Sequence, residues 1–373
     1  MDRRSVLVAR LDNAGDVLLA GPAVRAVAAG ARRVTLLCGP AGQAAAGLLP
    51  GVDEVLTFEA PWVPFEAPPV DRAAVDDLVD RLAARRLDAG VVLTSFHQSP
   101  LPLALLLRMA GVPRLGAVSV DYPGSLLDVR HRVDDDVHEV DRSLSLVRAM
   151  GFELPPGDDG RLAVRRPLPT LRPFDKPYVV VHPGASVPAR EWWPERATAL
   201  VDALVERRWR VAVTGAASEA ALTAAVAGPP RPGVVDLGGA TDLSGLAGVL
   251  DGAAVVVAGN TGPAHLAAAV GTPVVSIFAP VVPAMRWQPF GVPVALLGDQ
   301  GVPCAGCRAR VCPIPGQPCL APVTVDAVLT AVEKLAASGP VVVTSERPHL
   351  ARPCGVDDRL RLRTPSVPRS GRP

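Results

Sequence analysis

Short apolar runs alternate with longer stretches in which apolar residues recur every three to four positions, and the alternation starts at the beginning of the chain. SVLVAR (5–10), VTLLC (34–38), DEVLTF (53–58) and AGVVLT (89–94) are rich in leucine and β-branched residues. That is the pattern of strands buried on both faces. Between them, 17–29, 40–49 and 71–87 carry helical spacing, with Asp71, Asp76 and Asp77 in the first turns of the third, where acidic side chains suit the helix dipole. The spacing predicts a further helix over 136–150, introduced by Asp134, Asp135 and Asp136 and stopped by Gly151. Over 155–177 the apolar period lapses into dense Pro and charge, a linker composition. The alternation then resumes, with strands at 178–184, 210–215, 234–237, 253–259 and 272–278 and helices at 194–208, 218–227, 242–250 and 263–270.

Two successive β–α–β arrays predict an α/β protein with two doubly wound parallel sheets and ligand sites at the carboxyl ends of strands. The cleft between the sheets is the expected active site. The expected organisation is a Rossmann-like domain over 1–160, a Pro-rich linker over 161–177, a second Rossmann-like domain over 178–337 and a disordered tail over 338–373.

Composition removes several function classes. The 38 basic residues against 37 acidic ones leave a net charge of +1, which argues against an electrostatic nucleic-acid binder. Aromatic residues make up 4% of the chain, too few for a base-stacking groove. No stretch approaches the roughly 20 apolar residues that a membrane crossing needs. Arg10, Asp12 and Asp16 break the N-terminal apolar run too early for a signal peptide, so a cytoplasmic location is expected. There, six cysteines are read as thiols or metal ligands before disulfides. The only lysines, Lys176 and Lys334, do not follow glycine, which excludes a P-loop. The absence of G-x-G-x-x-G weakens a dinucleotide-binding reading.

Three strand-to-helix junctions carry candidate chemistry. In VLVARLDNAGD, Gly15 allows close backbone approach and Asp16 stands at a helix start; its carboxylate could accept a proton from a hydroxyl nucleophile, or simply cap the helix. In VVVHPGASVPAR, a turn containing Ser186 precedes Arg190, whose planar fork suits a phosphate, though a surface pair with Glu191 or Glu195 explains it equally. In AGNTGPAH, Pro263 suits a helix start and would leave free N–H groups around Thr261, Gly262 and His265, a diphosphate or carboxylate site. The alternative is an ordinary capped helix with a buried histidine. Cys304, Cys307, Cys312 and Cys319 fall within sixteen residues and could close around a structural zinc, although the spacing is not that of a zinc ribbon and a plain thiol cluster fits as well. Asp134-x-Asp136 is assigned to helix N-terminal charge and to no metal.

Taken in order, these segments resemble glycosyltransferase family 9, the group that contains the ADP-heptose–lipopolysaccharide heptosyltransferases. The matching features are R-x4-G-D from Arg10 to Asp16, the helix start His138-Glu139-Val140-Asp141 followed by Arg142, HPGAS with Arg190 downstream, and N-T-G-P-x-H at 260–265. The cysteine-rich segment near 304–319 is similar to one found in many members, and the resemblance covers about 4–337. It implies a GT-B fold with two domains facing across a cleft, the acceptor bound mainly by the first and the nucleotide sugar by the second. It also implies inverting, metal-independent transfer with no required cofactor. Asp16 would be the general base, and Arg190 would contact the donor phosphates. Glu219 would bind the ribose, Thr241 would lie near the nucleobase, and Ser186, Asn260, Thr261, Gly262 and His265 would complete the donor site. One departure stands out: where many members carry Asp before Thr-Gly-Pro, this chain has Asn260, losing a charge near the donor sugar.

The resulting expectation is transfer of a sugar, heptose foremost, from an ADP-sugar to a hydroxyl of a glycan or glycolipid, with peripheral contact at the inner membrane face if the acceptor is a lipid. The alternatives are a nucleotide-sugar epimerase of the same architecture and a non-catalytic nucleotide- or metal-binding protein.

Overall fold

The computed structural model describes residues 4–134, 136–175 and 177–337; the expected tail lies outside the described residues. The first half runs β1 (Arg4–Arg10), α1 (Ala14–Leu19), α2 (Gly21–Gly30), β2 (Ala31–Cys38), α3 (Gln43–Leu48), β3 (Glu54–Thr57), α4 (Arg72–Ala84), β4 (Ala89–Leu93), α5 (Leu101–Met109), β5 (Leu115–Val118), β6 (Val129–His131) and α6 (Glu139–Ala149). The second continues with β7 (Tyr178–His182), α7 (Pro194–Glu206), β8 (Arg210–Gly215), α8 (Ala220–Ala227), β9 (Val234–Gly238) and α9 (Leu243–Asp251). It ends with β10 (Val255–Gly259), α10 (Gly262–Val270), β11 (Val274–Ile277), α11 (Ala284–Trp287), β12 (Val294–Leu297) and α12 (Val325–Ala337).

Among the described residues these strands form two parallel six-stranded sheets, ordered β3-β2-β1-β4-β5-β6 and β12-β11-β10-β7-β8-β9. Both have the doubly wound order, so each has a switch point: between β1 and β4 in the first sheet, and between β7 and β10 in the second. The apolar runs of β1, β4 and β7 are buried on both faces because helices cover both sides. Leu78, Leu82, Leu103 and Leu107, from α4 and α5, pack one face of the first sheet. Leu200, Leu204, Val328 and Val332, from α7 and α12, pack the outer face of the second. The inner helices, α1 and α3 on one side and α9 and α10 on the other, pack against each other across the cleft. No helix among the described residues is long and apolar enough to cross a membrane.

Two local expectations need correction. The helix expected over 17–29 is two helices divided at Ala20, because Pro22 has no N–H to continue the ladder of α1. The helix expected from 136 begins at Glu139. Its cap is His138, whose Nδ1 accepts from the Val140 N–H at 3.2 Å; Glu139 and Asp141 supply the acidic first turn, and Asp135 lies outside the described residues. The described residues of the Pro-rich stretch after 155 form no regular element and are held to the first half. Arg25 pairs with Asp158 at 2.6 Å, the Arg165 N–H donates to the Leu48 carbonyl at 2.7 Å, and Leu162 and Val164 are buried.

Candidate active site

Each switch point carries a polar group in an otherwise apolar interior. At the first, Arg10 ends β1 opposite Leu93 of β4 and is 1% exposed. Its Nη1 donates to Glu139 Oε2 at 3.0 Å, and its Nη2 donates to Asp16 Oδ1 and to Ser95 Oγ, each at 2.9 Å. Its Nε stands 2.7 Å from Asp12 Oδ2 without the alignment of a hydrogen bond. Burial opposes the charge, but Asp12, Asp16 and Glu139 outweigh it and hold the guanidinium pKa above its ordinary value. Gln98 and Ser95 also donate to Asp12, at 2.5 and 3.3 Å. Asp16 is therefore fixed from behind by a permanent cation, and its side chain keeps 19% exposure toward the cleft. Asn13, not Asp16, occupies the N-cap of α1, so capping does not account for the carboxylate.

Across the cleft, β10 ends at Gly259 and α10 starts at Gly262, with Thr261 as N-cap making no side-chain capping bond. The helix stops at Gly271 in the left-handed conformation, φ 93°, which glycine adopts without strain. The first turn of α10 meets α1 so closely that a Cβ on Gly15 would lie 2.9 Å from His265 Cδ2 and 3.3 Å from Gly262 Cα. Arg190 comes from the loop after β7 and lies near enough that Asp16 favours its charge and it disfavours a charge on His265. Arg190 Nε, Thr261 Oγ1 and His265 Nδ1 are all buried without a hydrogen-bond partner. Three such atoms, two of them at the start of α10 and the third on a neighbouring arginine, are unusual in a folded interior and match the needs of an anion. Burial, with His138 and Arg190 adding to it, pushes His265 down to about 3, so the ring is neutral. Burial also lowers Arg190 from its ordinary value, against the pull of Asp16.

The other expected donor residues divide. Glu219 sits beside the end of β7: its Oε2 accepts from the Ala216 N–H at 2.7 Å and is 3.8 Å from His182 Nε2, and its carboxylate leaves no room for a Cβ at Gly184. Asn260 is buried directly before Thr261. Ser186 is exposed on the loop after β7, and Thr241 is half-buried just before Asp242, the N-cap of α9. No hydrogen bond among the described residues links Ser186 or Thr241 to Asp16, Arg190 or His265.

The four clustered cysteines differ in exposure. Cys304 and Cys312 are half-buried, Cys307 exposed and Cys319 buried, all with free thiols. Burial first, then the neighbouring thiols, push the Cys319 thiol up. No group of three or more His, Cys, Asp or Glu side chains among the described residues could hold a metal ion. The thiols bias one another without forming such a group among the described residues. The segment instead braces the Arg190 loop: the Ala189 N–H donates to the Arg310 carbonyl at 2.9 Å and Gln317 Nε2 to the Ala189 carbonyl at 2.9 Å.

Several site residues escaped the motif reading. Glu139 and Arg142 were visible only as part of a helix start, and Ser95, Gln98 and Asp12 had no signal of their own. Trp287, at the end of α11, donates from Nε1 to Asp16 Oδ1 at 3.3 Å. His138 Nε2 is 2.9 Å from the Gln288 carbonyl; since Nδ1 accepts from Val140, Nε2 is the protonated nitrogen and donates.

Sequence and structure comparisons identify the family and the fold. A sequence model of glycosyltransferase family 9 (heptosyltransferase) matches residues 77–317, well over half the chain. Lipopolysaccharide heptosyltransferase 3 of Escherichia coli K12 is 29% identical over 163 residues, 41% of this chain and 47% of that protein. Lipopolysaccharide heptosyltransferase 1 of Pseudomonas aeruginosa is 32% identical over 180 residues, 47% of this chain and 48% of that protein. The chain thus spans about half the length of the curated relatives it matches. Among solved structures, a family 9 glycosyl transferase from Veillonella parvula superimposes with a TM-score of 0.72 at 16% identity, covering 90% of this chain and 98% of that one. E. coli ADP-heptose lipopolysaccharide heptosyltransferase II gives 0.69 at 17% identity, covering 90% and 99%. The fold shared with these is GT-B.

Proposed function

Because the chain belongs to glycosyltransferase family 9, we propose that it transfers a sugar, heptose foremost, from an ADP-sugar to a hydroxyl of a glycan or glycolipid acceptor. The observation that carries this reading is the opposition of Asp16 to three buried, unpartnered polar atoms, on Arg190, Thr261 and His265, at the start of α10. Arg190 and the N–H groups of α10 would bind the donor diphosphate. Asp16 would take the proton from the acceptor hydroxyl as its oxygen bonds to the anomeric carbon. The bond from that carbon to the diphosphate oxygen breaks, and the same fixed donors take up the charge on the departing ADP. A base on one side of the cleft and a leaving-group site on the other suit a single displacement with inversion. Arg10 supports the role by holding the Asp16 carboxylate in place through the Nη2 contact at 2.9 Å. Charge stabilisation by side chains and a helix end would make a metal unnecessary. Glu219, Thr241, Ser186 and Asn260 would line the nucleoside and sugar ends of the donor. The same reading puts the reaction in the cytoplasm, at the inner membrane face for a glycolipid acceptor.

The test is a melting panel with ADP, UDP, GDP and NAD on wild type and Arg190→Ala. A ligand at about 100 times its Kd stabilises the fold by roughly 2.7 kcal/mol. ADP alone should raise the wild-type melting temperature and lose that effect in Arg190→Ala; no shift with any nucleotide would end the transferase reading. Asp16→Asn should retain the ADP shift while turnover of ADP-heptose falls by about 100-fold or more.

A further inference from the structure

The indole of Trp287 reaches the proposed base from the opposite half of the molecule. Trp287 ends α11, is 8% exposed, and donates from Nε1 to Asp16 Oδ1 at 3.3 Å. Arg10 Nη2 donates to the same oxygen at 2.9 Å. Two donors from two halves therefore converge on Oδ1, and no hydrogen bond among the described residues reaches Oδ2. The indole is itself held in place. Its ring centroid lies 5.3 Å from that of Phe96, on the loop after β4, and Phe96 carries the guanidinium groups of Arg286 at 4.3 Å and Arg308 at 4.5 Å. Arg286 is the neighbour of Trp287 in the chain, so one aromatic ring of the first half anchors the last two residues of α11.

We infer that Trp287 is a positioning residue for Asp16, turning its free Oδ2 toward the acceptor hydroxyl and completing the base only when the two halves meet. A carboxylate held by Arg10 alone can still rotate about its Cβ–Cγ bond and present either oxygen. A second donor on the same oxygen, from a different direction, stops that rotation. This inference rests on the glycosyl-transfer reading, because it assigns Trp287 a task only if Asp16 is the base.

One arm of the test needs no substrate. The chain has five tryptophans, so a spectrum of 15N-tryptophan-labelled protein gives five indole signals. Trp287→Phe identifies one by its loss, and that signal should shift in Asp16→Asn; an unmoved signal overturns the contact. The second arm measures ADP release from ADP-heptose with water as acceptor. Trp287→Phe, which keeps an aromatic ring against Phe96, should lower kcat roughly tenfold, the size expected for losing one hydrogen bond of about 1.4 kcal/mol, and leave KM for the donor unchanged. Trp287→His, which restores an N–H, should recover part of the loss. A packing role alone would lower the melting temperature and leave kcat of the folded enzyme intact, which overturns the inference. Wild-type kcat in Trp287→Phe with an inactive Asp16→Asn overturns the positioning role but leaves the base. Unchanged activity in both variants removes the base reading itself.

Discussion

Arg10 lies among Asp12, Asp16, Glu139 and Ser95 at the switch point of the first sheet, with almost no solvent contact. Removing one partner of a buried charged group leaves the others uncompensated, at a cost of about 3–5 kcal/mol. Arg10→Met should therefore destabilise the protein by that order in urea unfolding, because three acidic side chains lose their cation. A cost under about 1 kcal/mol would mean water already solvates the cluster. The histidines behave differently. His138, His182 and His265 are all lowered chiefly by burial. For His265 the folded value of about 3 lies below the ordinary 6.5, so the unfolded chain takes up the proton first. Its contribution is fully present above about 6.5 and is lost as pH falls toward about 3. His265→Asn should make stability flatter across that window, and an unchanged slope would show that the ring stays solvated. Of these groups, Asp16, Arg190 and His265 could be read from strand-to-helix junctions. Trp287 and Ser95 could not, because their roles depend on partners far away in the chain.

At the scale of elements, α9 illustrates close packing. A Cβ on Gly248 would collide with the Pro169 carbonyl oxygen and come 3.6 Å from the Leu171 N, so this helix face lies directly on the Pro-rich stretch. Gly248→Ala should cost about 1–3 kcal/mol through overpacking, measured by thermal unfolding. A neutral or stabilising result would show that the stretch moves aside freely. The strongly apolar strands and the capped helices were legible from periodicity. β6 was not: it has only three residues, VRH, all half-buried at the sheet edge. Nor was β12, whose VALL is half-buried throughout beside β11. Edge strands bury too little of either face to leave a clear period. The acidic run at 134–136 misled in the other direction, since charge before a helix resembles a first turn but the cap is set by local geometry at His138.

Across the whole molecule, one apolar cluster runs through both halves. Val6, Val24 and Val147 from the first half belong to the same buried core as Val180, Val256 and Leu266 from the second. Calorimetry should show one cooperative transition for the described body, and saturating ADP should move it as a unit. Two separated transitions, only one of them shifted by ADP, would show that the halves fold independently.

The alternation of apolar runs and helical spacing determined two doubly wound parallel arrays by itself, because that pattern depends only on neighbours a few residues apart. The junction motifs likewise marked where each array would present Asp16, Arg190 and the start of α10. The tertiary structure decided which groups meet across the cleft: Arg10 with Glu139, Trp287 with Asp16, and Gly15 against α10. It also decided which of the four clustered thiols are buried and which exposed. These outcomes depend on distances between side chains that are far apart in sequence, which the local pattern does not encode and only the packed fold imposes.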